Sequence, residues 1–366
     1  MRLMISGGGT GGHVYPALTV ADWLAIDNLP PPAICWVGST GGAEEKLVAR
    51  AGIPFEGISA KGLRGKNPLA ILDGLWTLRR GIQQARRLVA SFQPDVLFVT
   101  GGYVCTPVTL AARLAGVPAL IYLPDMQPGL AIKFLARFAD RVAVTARPAM
   151  RHFRPGQAVV TGYPVRRKLF ERDRAEARAR WGLGPEDKQS VLLVFGGSQG
   201  ARSINQAVSR GIEALLSIAQ VIHISGQRDA DWTQAGRASL PESLKARFHL
   251  HAYLHEEMVD ALLAADLVVS RAGASTLGEF PAAGLPAVLV PYPYAGAHQW
   301  DNAQYLVQAN AAVTIDDADL GTDLLPTVLD LLRDSDRRAE MQRAARALAR
   351  PDAAQRIVHE LKELAQ

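Results

Sequence analysis

The sequence is poor in cysteine and contains no long apolar run. Its two cysteines, Cys35 and Cys105, lie far apart in the chain, so neither a disulfide framework nor a metal-binding spacing is indicated. No apolar run reaches the roughly 18 residues that a membrane-spanning helix needs. The first apolar run begins directly after Arg2, which leaves no room for a signal peptide. These absences argue against a disulfide-stapled or membrane-spanning protein, and we expect a cytoplasmic one.

Acidic residues are scarce between Gly57 and Pro94, where Asp73 is the one acid. The basic residues of this segment are Lys61, Arg64, Lys66, Arg79, Arg80, Arg86 and Arg87. Leucines, isoleucines and Trp76 are interleaved with them, a pattern typical of a helix that lies on an anionic bilayer surface. A helix that simply covers a sheet explains the pattern equally well. Nucleic-acid binding is disfavoured, because no aromatic stacking platform accompanies the charge.

The chain is long enough for two domains, with 366 residues of which 48% are hydrophobic. Apolar strands alternate with helical segments throughout, which predicts parallel sheets covered by helices on both faces. The predicted strands include 33–37, 96–100, 119–123 and 141–145 in the first half, and a strand from Ser190, 221–225, 248–253, 267–270 and 287–291 in the second. Residues 161–167 form a plausible linker.

A glycine-rich turn follows the first predicted strand. Residues 7–12 are glycine except for Thr10, and an apolar helical pattern runs from Val14. Glycine lets a ligand approach the backbone, and a helix start offers unpaired N–H groups, so the turn predicts an anion site. His13 lies at its mouth and can exchange a proton near neutral pH. It is a candidate base, or alternatively a residue that caps the turn or orders a water.

The same turn matches the G-x-G-x-x-G pattern of dinucleotide-binding proteins at Gly7, Gly9 and Gly12. That fingerprint needs an acidic residue at the end of the second strand to hold the ribose hydroxyls. Here the predicted strand 33–37 is followed by glycine, serine and threonine. A nicotinamide-dependent dehydrogenase is therefore disfavoured.

The second half repeats the plan and adds an acidic residue. A glycine turn at 196–200 follows a strand, and Ser275 or Thr276 opens a helix with Glu279 one turn later. Its N–H groups suit a diphosphate, and the carboxylate can accept both hydroxyls of a ribose. Alternatively, Glu279 completes a capping box. No Asp-x-Asp pair follows a strand end, so no metal ion is expected.

Several motifs, taken in order, resemble the MurG family of glycosyltransferases. They are GGGTGGHVYPA at 7–17, GGY at 101–103, GYPVR at 162–166, GGSQGAR at 196–202, RAGASTLGE at 271–279 and HQWDNA at 298–303. The resemblance runs nearly end to end. It implies an α/β protein of the GT-B fold, with Rossmann-like domains at 1–162 and 163–340, an active site in the cleft between them, and a final helix, 341–366, returning to the first domain.

The resemblance also implies an activity. The family transfers N-acetylglucosamine from UDP-N-acetylglucosamine to the C4 hydroxyl of a muramyl sugar, on a polyprenyl-diphosphate-linked muramyl peptide of peptidoglycan synthesis. The expected transfer is inverting, needs no cofactor or metal, and takes place at the cytoplasmic face of the membrane. A related glycolipid glycosyltransferase and a non-catalytic nucleotide-sugar-binding protein remain alternatives, and no nucleic-acid partner is expected.

Individual roles carry over by motif. Glu279 would hold the ribose and Gln299 the sugar, while Tyr103 would face the acceptor's diphosphate. The edge of the uracil base would meet the backbone near Leu254 and His255. The other predicted donor contacts are Thr10, Gly11, Gly12, Arg166, Ser198, Leu254, His255, Ala274, Ser275, Thr276, Leu277, Gly278 and His298.

The chain departs from the family pattern before Pro128, where Tyr122-Leu123-Pro124-Asp125 replaces a His-Glu-Gln-Asn run. Asp125 thus stands where an amide should meet the sugar. His298 also stands where many members have glutamine. His13 is the first candidate for the general base, and Asp125 is the second.

Overall fold

A computed structural model of the chain describes residues 1–9, 11–27, 31–60, 68–184, 187, 189–197, 199–294 and 298–366, without the side chains of 27 and 68–72. Predicted site residues Thr10 and Ser198 lie outside the described residues, as do Lys61, Arg64 and Lys66 of the basic segment.

The described strands and helices alternate along the chain. The strands are β1 (Arg2–Gly7), β2 (Ala33–Ser39), β3 (Phe55–Ile58), β4 (Val96–Gly101), β5 (Ala119–Leu123), β6 (Arg141–Val144), β7 (Ala158–Val160), β8 (Ser190–Phe195), β9 (Ala219–Ile224), β10 (Phe248–His251), β11 (Leu267–Ser270), β12 (Ala287–Leu289) and β13 (Ala312–Thr314). The α-helices are α1 (Gly11–Asp27), α2 (Ala43–Arg50), α3 (Pro68–Phe92), α4 (Cys105–Leu114), α5 (Leu130–Leu135), α6 (Lys168–Glu171), α7 (Arg174–Ala179), α8 (Arg202–Arg210), α9 (Ile212–Ile218), α10 (Ala230–Ala238), α11 (Glu242–Lys245), α12 (Glu257–Ala264), α13 (Thr276–Ala283), α14 (His298–Gln308), α15 (Leu320–Arg333), α16 (Ser335–Leu348) and α17 (Ala353–Leu364). Short 3₁₀ helices occur at Arg147–His152 and Asp317–Asp319.

The chain divides into two units. The first consists of Met1–Val165 together with Arg350–Gln366, and the second of Arg166–Ala349. The segment Arg350–Gln366 contains α17, which contacts α1, β4 and β5. The predicted domain bounds and the predicted cleft stay predictions.

Each unit is built on one parallel sheet. The strand order is β3-β2-β1-β4-β5-β6-β7 in the first and β10-β9-β8-β11-β12-β13 in the second. The central strands are buried on both faces, as their continuous apolar sequences require; residues 96–99 of β4, for example, are 0% exposed. Helices cover the strands, and buried apolar side chains of the described residues form a hydrophobic core between these layers in each unit.

The sheet order fixes where ligands can bind. In both units the order reverses next to the first strand, between β1 and β4 and between β8 and β11. A crevice opens at the carboxyl ends of the strands at such a point, and it is the usual ligand site of open parallel sheets. The glycine turns after β1, β4 and β8, and the turn before α13, all lie at these strand ends.

Helix α3 has both a packed and an exposed part. Gly81, Ala85 and Val89 are buried, and α3 packs along α4. Leu75 and Trp76 near its start are 51% and 65% exposed. The helix therefore covers the sheet with one stretch and presents apolar side chains to solvent with another. Within the described residues, no helix combines the length and apolarity that crossing a membrane requires.

Candidate active site

The first glycine turn is shorter than the sequence predicted. β1 extends to Gly7 and α1 begins at Gly11, so Gly11, Gly12 and His13 form the first helical turn, and the expected start at Val14 is wrong.

The imidazole of His13 is oriented by the turn. Its Nδ1 lies 3.0 Å from the carbonyl oxygen of Gly8, and since a carbonyl can only accept, Nδ1 carries the proton. In the neutral ring the lone pair is then on Nε2. A proton-accepting nitrogen is thus defined by backbone geometry, which is the arrangement a general base requires.

The turn after β4 packs on the first turn. The backbone N–H of Gly8 donates to the carbonyl of Gly101 at 3.0 Å. Gly102 has a φ of +98°, and a Cβ there would lie 2.6 Å from the Gly8 oxygen. A Cβ on Gly101 would approach the His13 ring to 3.0 Å. These glycines let the two turns touch, and the adjacent Tyr103 is 48% exposed at their surface.

Asp125 follows β5 at the same edge of the first sheet and is half-buried. The preceding Tyr122 is fully buried, with its hydroxyl 3.0 Å from Thr145 Oγ1, and it donates to the carbonyl of Gly162 at 3.3 Å. Burial raises the pKa of this phenol well above its usual range, and the charge of Asp125 adds to the shift. Tyr122 is thus a packed hydrogen-bonding residue, and Asp125 is the carboxylate of this departure from the family pattern, just after the end of β5.

The second glycine turn, at 196–200, is anchored to the loop after β9. A Cβ on Gly200 would lie 2.4 Å from the carbonyl oxygen of Ser225. The amide of Asn205 donates to that same oxygen at 2.8 Å and to Asp229 Oδ2 at 2.9 Å. Its own oxygen lies 2.9 Å from Nε2 of His223. The loop and the start of α8 are therefore joined by a buried polar chain that the sequence did not reveal.

The capping box considered for α13 does not form. Ser275 makes no side-chain hydrogen bond to the helix start, and its hydroxyl bonds the Glu279 carboxylate instead. The hydroxyl of Thr276 donates to the carbonyl of Gly273 at 2.7 Å. Backbone N–H groups of Thr276 and Leu277 already donate to carbonyls three residues back, which directs the predicted phosphate contacts to the turn residues Ala274 and Ser275. Leu277 and Gly278 are buried on the inner side of the helix.

Glu279 is a largely buried carboxylate with a cationic neighbour. Its side chain is 18% exposed, and Nη2 of Arg166 lies 3.4 Å from Oε1. Burial raises the pKa of Glu279, and the charge of Arg166 opposes that rise. A carboxylate held in such a place gains most from a ligand that donates hydrogen bonds, such as the two hydroxyls of a ribose.

The remaining predicted donor contacts are partly engaged within the protein. The carbonyl of His255 accepts from Arg166 Nη1 at 3.3 Å, and its N–H donates to Glu257 at 3.1 Å, so the predicted contact with a base edge rests on half-buried Leu254. Gln299 Oε1 accepts from the N–H of Tyr292 at 2.9 Å, which turns its amide NH₂ group toward other partners. His298 begins α14, and within the described residues its Nδ1 is buried without a hydrogen-bond partner.

Two charged residues beside these loops were not predicted. Glu44, 2% exposed, accepts the N–H of Gly9. Arg271 forms an ion pair with Asp317 at 2.6 Å and donates to Ser203 at 2.8 Å, so it holds the start of α8 against the 3₁₀ turn. Nothing in the sequence around Glu44 or Arg271 indicates these contacts. In the described ranges no group of three metal-ligating side chains occurs.

Comparison with known proteins identifies the family. Residues 3–144 match the N-terminal domain of glycosyltransferase family 28, and residues 191–357 match its C-terminal domain. A MurG-type transferase that is 43% identical matches the whole of this chain. The chain belongs to the MurG family, within glycosyltransferase family 28. The predicted family and the predicted glycosyltransferase class are therefore confirmed.

MurG-family relatives match over the whole chain. A UDP-N-acetylglucosamine–N-acetylmuramyl-(pentapeptide) pyrophosphoryl-undecaprenol N-acetylglucosamine transferase of Roseiflexus sp. (strain RS-1) is 43% identical, covering 100% of this chain and 95% of the relative. A transferase of the same name from Salinibacter ruber is 42% identical, with 100% and 97% covered. The crystal structure of MurG from Acinetobacter baumannii is 28% identical with a TM-score of 0.76, covering 99% of this chain and 100% of that one. With the two parallel sheets, this match confirms the predicted GT-B fold class.

Proposed function

We propose that this chain transfers N-acetylglucosamine from UDP-N-acetylglucosamine to the C4 hydroxyl of the muramyl sugar in a polyprenyl-diphosphate-linked muramyl peptide. The donor and the acceptor are those stated in the names of relatives that match this chain from end to end. The observation in this chain that supports it most directly is Glu279, a largely buried carboxylate one turn into α13, with Arg166 beside it.

The second unit binds the donor in this proposal. Glu279 accepts the ribose hydroxyls, the turn at Ala274 and Ser275 binds the diphosphate, and the amide of Gln299 donates to the sugar. The positive end of α13 and the guanidinium of Arg166 stabilise the negative charge that grows on the departing UDP. The charge on the departing UDP is thus stabilised by groups of the protein itself.

The first unit supplies the base. Nε2 of His13 takes the proton of the C4 hydroxyl while the oxygen forms a bond to the anomeric carbon. The bond from that carbon to the diphosphate oxygen breaks, UDP leaves with the electron pair, and the configuration inverts. A positioned base of this kind contributes about 10² to 10⁴-fold. Asp125 is the second candidate for this role, and Tyr103 faces the acceptor's diphosphate.

The activity test uses a short-chain acceptor. The protein is incubated with UDP-N-acetylglucosamine and a water-soluble lipid-linked muramyl peptide, and both UDP and the disaccharide product are quantified. A glycolipid glycosyltransferase, tested with a panel of acceptors, would glycosylate other lipids and leave the muramyl peptide unchanged. A non-catalytic binding protein would bind UDP without releasing product. Either result contradicts the proposal.

We also propose that the protein associates with the anionic cytoplasmic face of the membrane through α3. Leu75 and Trp76 are exposed near its start, and the Arg79 guanidinium lies 5.9 Å from the Trp76 ring. Arg80, Arg86 and Arg87 are exposed further along the helix. Apolar side chains flanked by basic ones bind reversibly to anionic lipid, with about 1 kcal/mol for each basic group near the surface.

Liposome flotation tests the membrane proposal. Binding to anionic vesicles should fall with salt and should fall again when Arg79 and Arg80 are both replaced by glutamate. The control replaces Arg333 and Arg337, which are exposed at the junction of α15 and α16, in the same way, and its binding should be close to that of the wild type. Binding to neutral vesicles only would contradict an electrostatic contact.

A further inference from the structure

Glu44 is a buried carboxylate that the proposed mechanism does not use. It lies in the first turn of α2 and is 2% exposed. Its Oε2 accepts the N–H of Gly9 at 3.2 Å, and its Oε1 accepts the N–H of Ser39 at 2.9 Å. A buried charge is costly unless hydrogen bonds satisfy it, so both contacts are strongly favoured. The carboxylate thereby ties the first glycine turn to the end of β2.

The turn packs directly on this carboxylate. A Cβ on Gly8 would lie 2.5 Å from Oε1 of Glu44, and a Cβ on Gly42 would lie 2.4 Å from the same atom. Glycine at both places is what lets the side chain enter. Close packing of this kind restricts the turn to one position, because the interior of a protein does not deform continuously.

Gly8 connects Glu44 to the proposed base. Its carbonyl accepts the Nδ1–H of His13 at 3.0 Å, and its N–H donates to Gly101 at 3.0 Å. The position of one peptide carbonyl therefore sets both the tautomer and the direction of the imidazole. Gly8, which supplies that carbonyl, packs on Glu44. The next residue, Gly9, is hydrogen-bonded to Glu44.

We propose that Glu44 is a positioning residue that holds the Gly8–Gly9 turn so that His13 presents Nε2 to the acceptor hydroxyl. The inference rests on the proposed role of His13 as the base. A carboxylate is needed because two N–H donors approach its two oxygens. An amide at this place offers one oxygen and turns its NH₂ group against the other donor, so one hydrogen bond is lost and the turn shifts.

The test is a double-mutant cycle with a matched control. Glu44→Gln should lower kcat about 10- to 100-fold, the size expected for misplacing a catalytic group by about 1 Å, and should leave the donor KM within about twofold. Glu45→Gln changes the neighbouring exposed glutamate and should leave both constants at wild-type values. Because Glu44 acts through His13, kcat of the variant with both Glu44→Gln and His13→Ala should equal that of His13→Ala alone.

If Glu44 had a purely structural role, the kcat values of the double-mutant cycle would be different. If the two changes multiply, while His13→Ala alone lowers kcat, Glu44 acts independently of His13 and the inference is overturned, although the proposed function stands. If His13→Ala leaves kcat unchanged, the assigned base is wrong and the inference falls with it. A wild-type protein that transfers no sugar contradicts the proposed function and with it the role of His13 as the base. Whether Glu44 sets the tautomer of His13 is still tested by the next measurement, which does not depend on turnover.

Nitrogen NMR of ¹⁵N-histidine-labelled protein reads the tautomer directly. The wild-type His13 signal should be that of a ring protonated at Nδ1, and Glu44→Gln should move it toward a mixture of tautomers. An Nε2-protonated ring in the wild type, or an unchanged signal in a folded Glu44→Gln variant, would overturn the inference. The wild-type measurement tests the required geometry even if the variant does not fold.

Discussion

The two glycine turns of the molecule follow one sequence plan but are held in different ways. The first, after β1, is held by a charge: the Glu44 carboxylate binds the N–H of Gly9. The second, after β8, is held by a neutral amide: Asn205 binds the carbonyl of Ser225, on whose loop Gly200 packs. A cation follows the second turn: Arg202 is 72% exposed and lies 4.0 Å from the buried carboxylate of Asp229.

This difference gives the turns different electrostatic characters. A carboxylate behind the first turn takes up an N–H group that an anion would otherwise bind. That turn is therefore less suited to a phosphate than its glycine pattern predicts. The second turn also has a buried carboxylate near it, Asp229, but the ion pair with Arg202 at 4.0 Å and the amide of Asn205 offset that charge. The second turn therefore favours a cation less than the first does. The glycine pattern sets the shape of a turn, whereas the adjacent helix and strand set its charge.

The largest effect expected from this comparison is on turnover. His13→Ala should lower kcat at least tenfold and up to about 10⁴-fold, the range of a lost general base. Donor affinity should stay close to that of the wild type, because the proposed contacts with the ribose, the diphosphate and the sugar, at Glu279, Ala274, Ser275 and Gln299, are in the second unit. The measurement is steady-state kinetics together with calorimetric titration of UDP-N-acetylglucosamine.

The matched control is His359→Ala, a histidine on α17 that is 69% exposed. It should leave kcat unchanged. Unchanged turnover in His13→Ala would remove His13 from catalysis and would leave Asp125 as the candidate base. A large loss of donor affinity would instead mean that the first turn serves the donor, and the contrast between the turns would fail.

Much of the architecture could be predicted from the sequence, because its strongest signal is burial. The central strands are continuous apolar runs, and the predicted strand 119–123 has the bounds of β5. The short strands β3, β7 and β13 were not predicted. All three lie at sheet edges, where only part of a strand is buried and its pattern is weak; in β3 two of the four residues are exposed.

The site was predictable where a motif specifies a local shape. Glu279 was expected near a helix start, and the structure places it there beside Arg166. Its roles and those of the other site residues stay predictions. Glu44 and Asn205 were not predicted, because each bonds a residue that is distant in sequence: Gly9 is 35 residues from Glu44, and Ser225 is 20 residues from Asn205. The sequence contains no local pattern that reports such a contact.

The second expected effect is on the pH dependence of stability. Burial lowers the pKa of His223 from 6.5 to about 4, so the folded protein keeps this ring neutral while the unfolded chain protonates it. The stability that this provides is complete above pH 6.5 and falls as the pH drops toward 4, by about 3 kcal/mol in all. Acid should therefore loosen the second turn's anchor, since His223 bonds Asn205.

Hydrogen exchange at the amides of β9 measures this effect. The free energy of opening should decrease between pH 6.5 and 4, and His223→Gln, which keeps an N–H donor for Asn205, should flatten the decrease. His359→Gln should not, since that ring is mostly exposed. An equally steep decrease in His223→Gln would assign the acid sensitivity to other groups.

The smallest effect separates ligand binding from stability at Glu279. Replacing it with glutamine removes charge-assisted hydrogen bonds worth about 1.5–3 kcal/mol, so UDP should bind about 10- to 150-fold more weakly by calorimetry. Burial raises the pKa of this carboxyl, so the free protein loses stability as the pH rises through that pKa. Glu279→Gln removes this loss and should be at least as stable as the wild type at neutral pH. Glu242→Gln, at a side chain 89% exposed, should change neither property, and equal UDP affinity in Glu279→Gln would place the donor elsewhere.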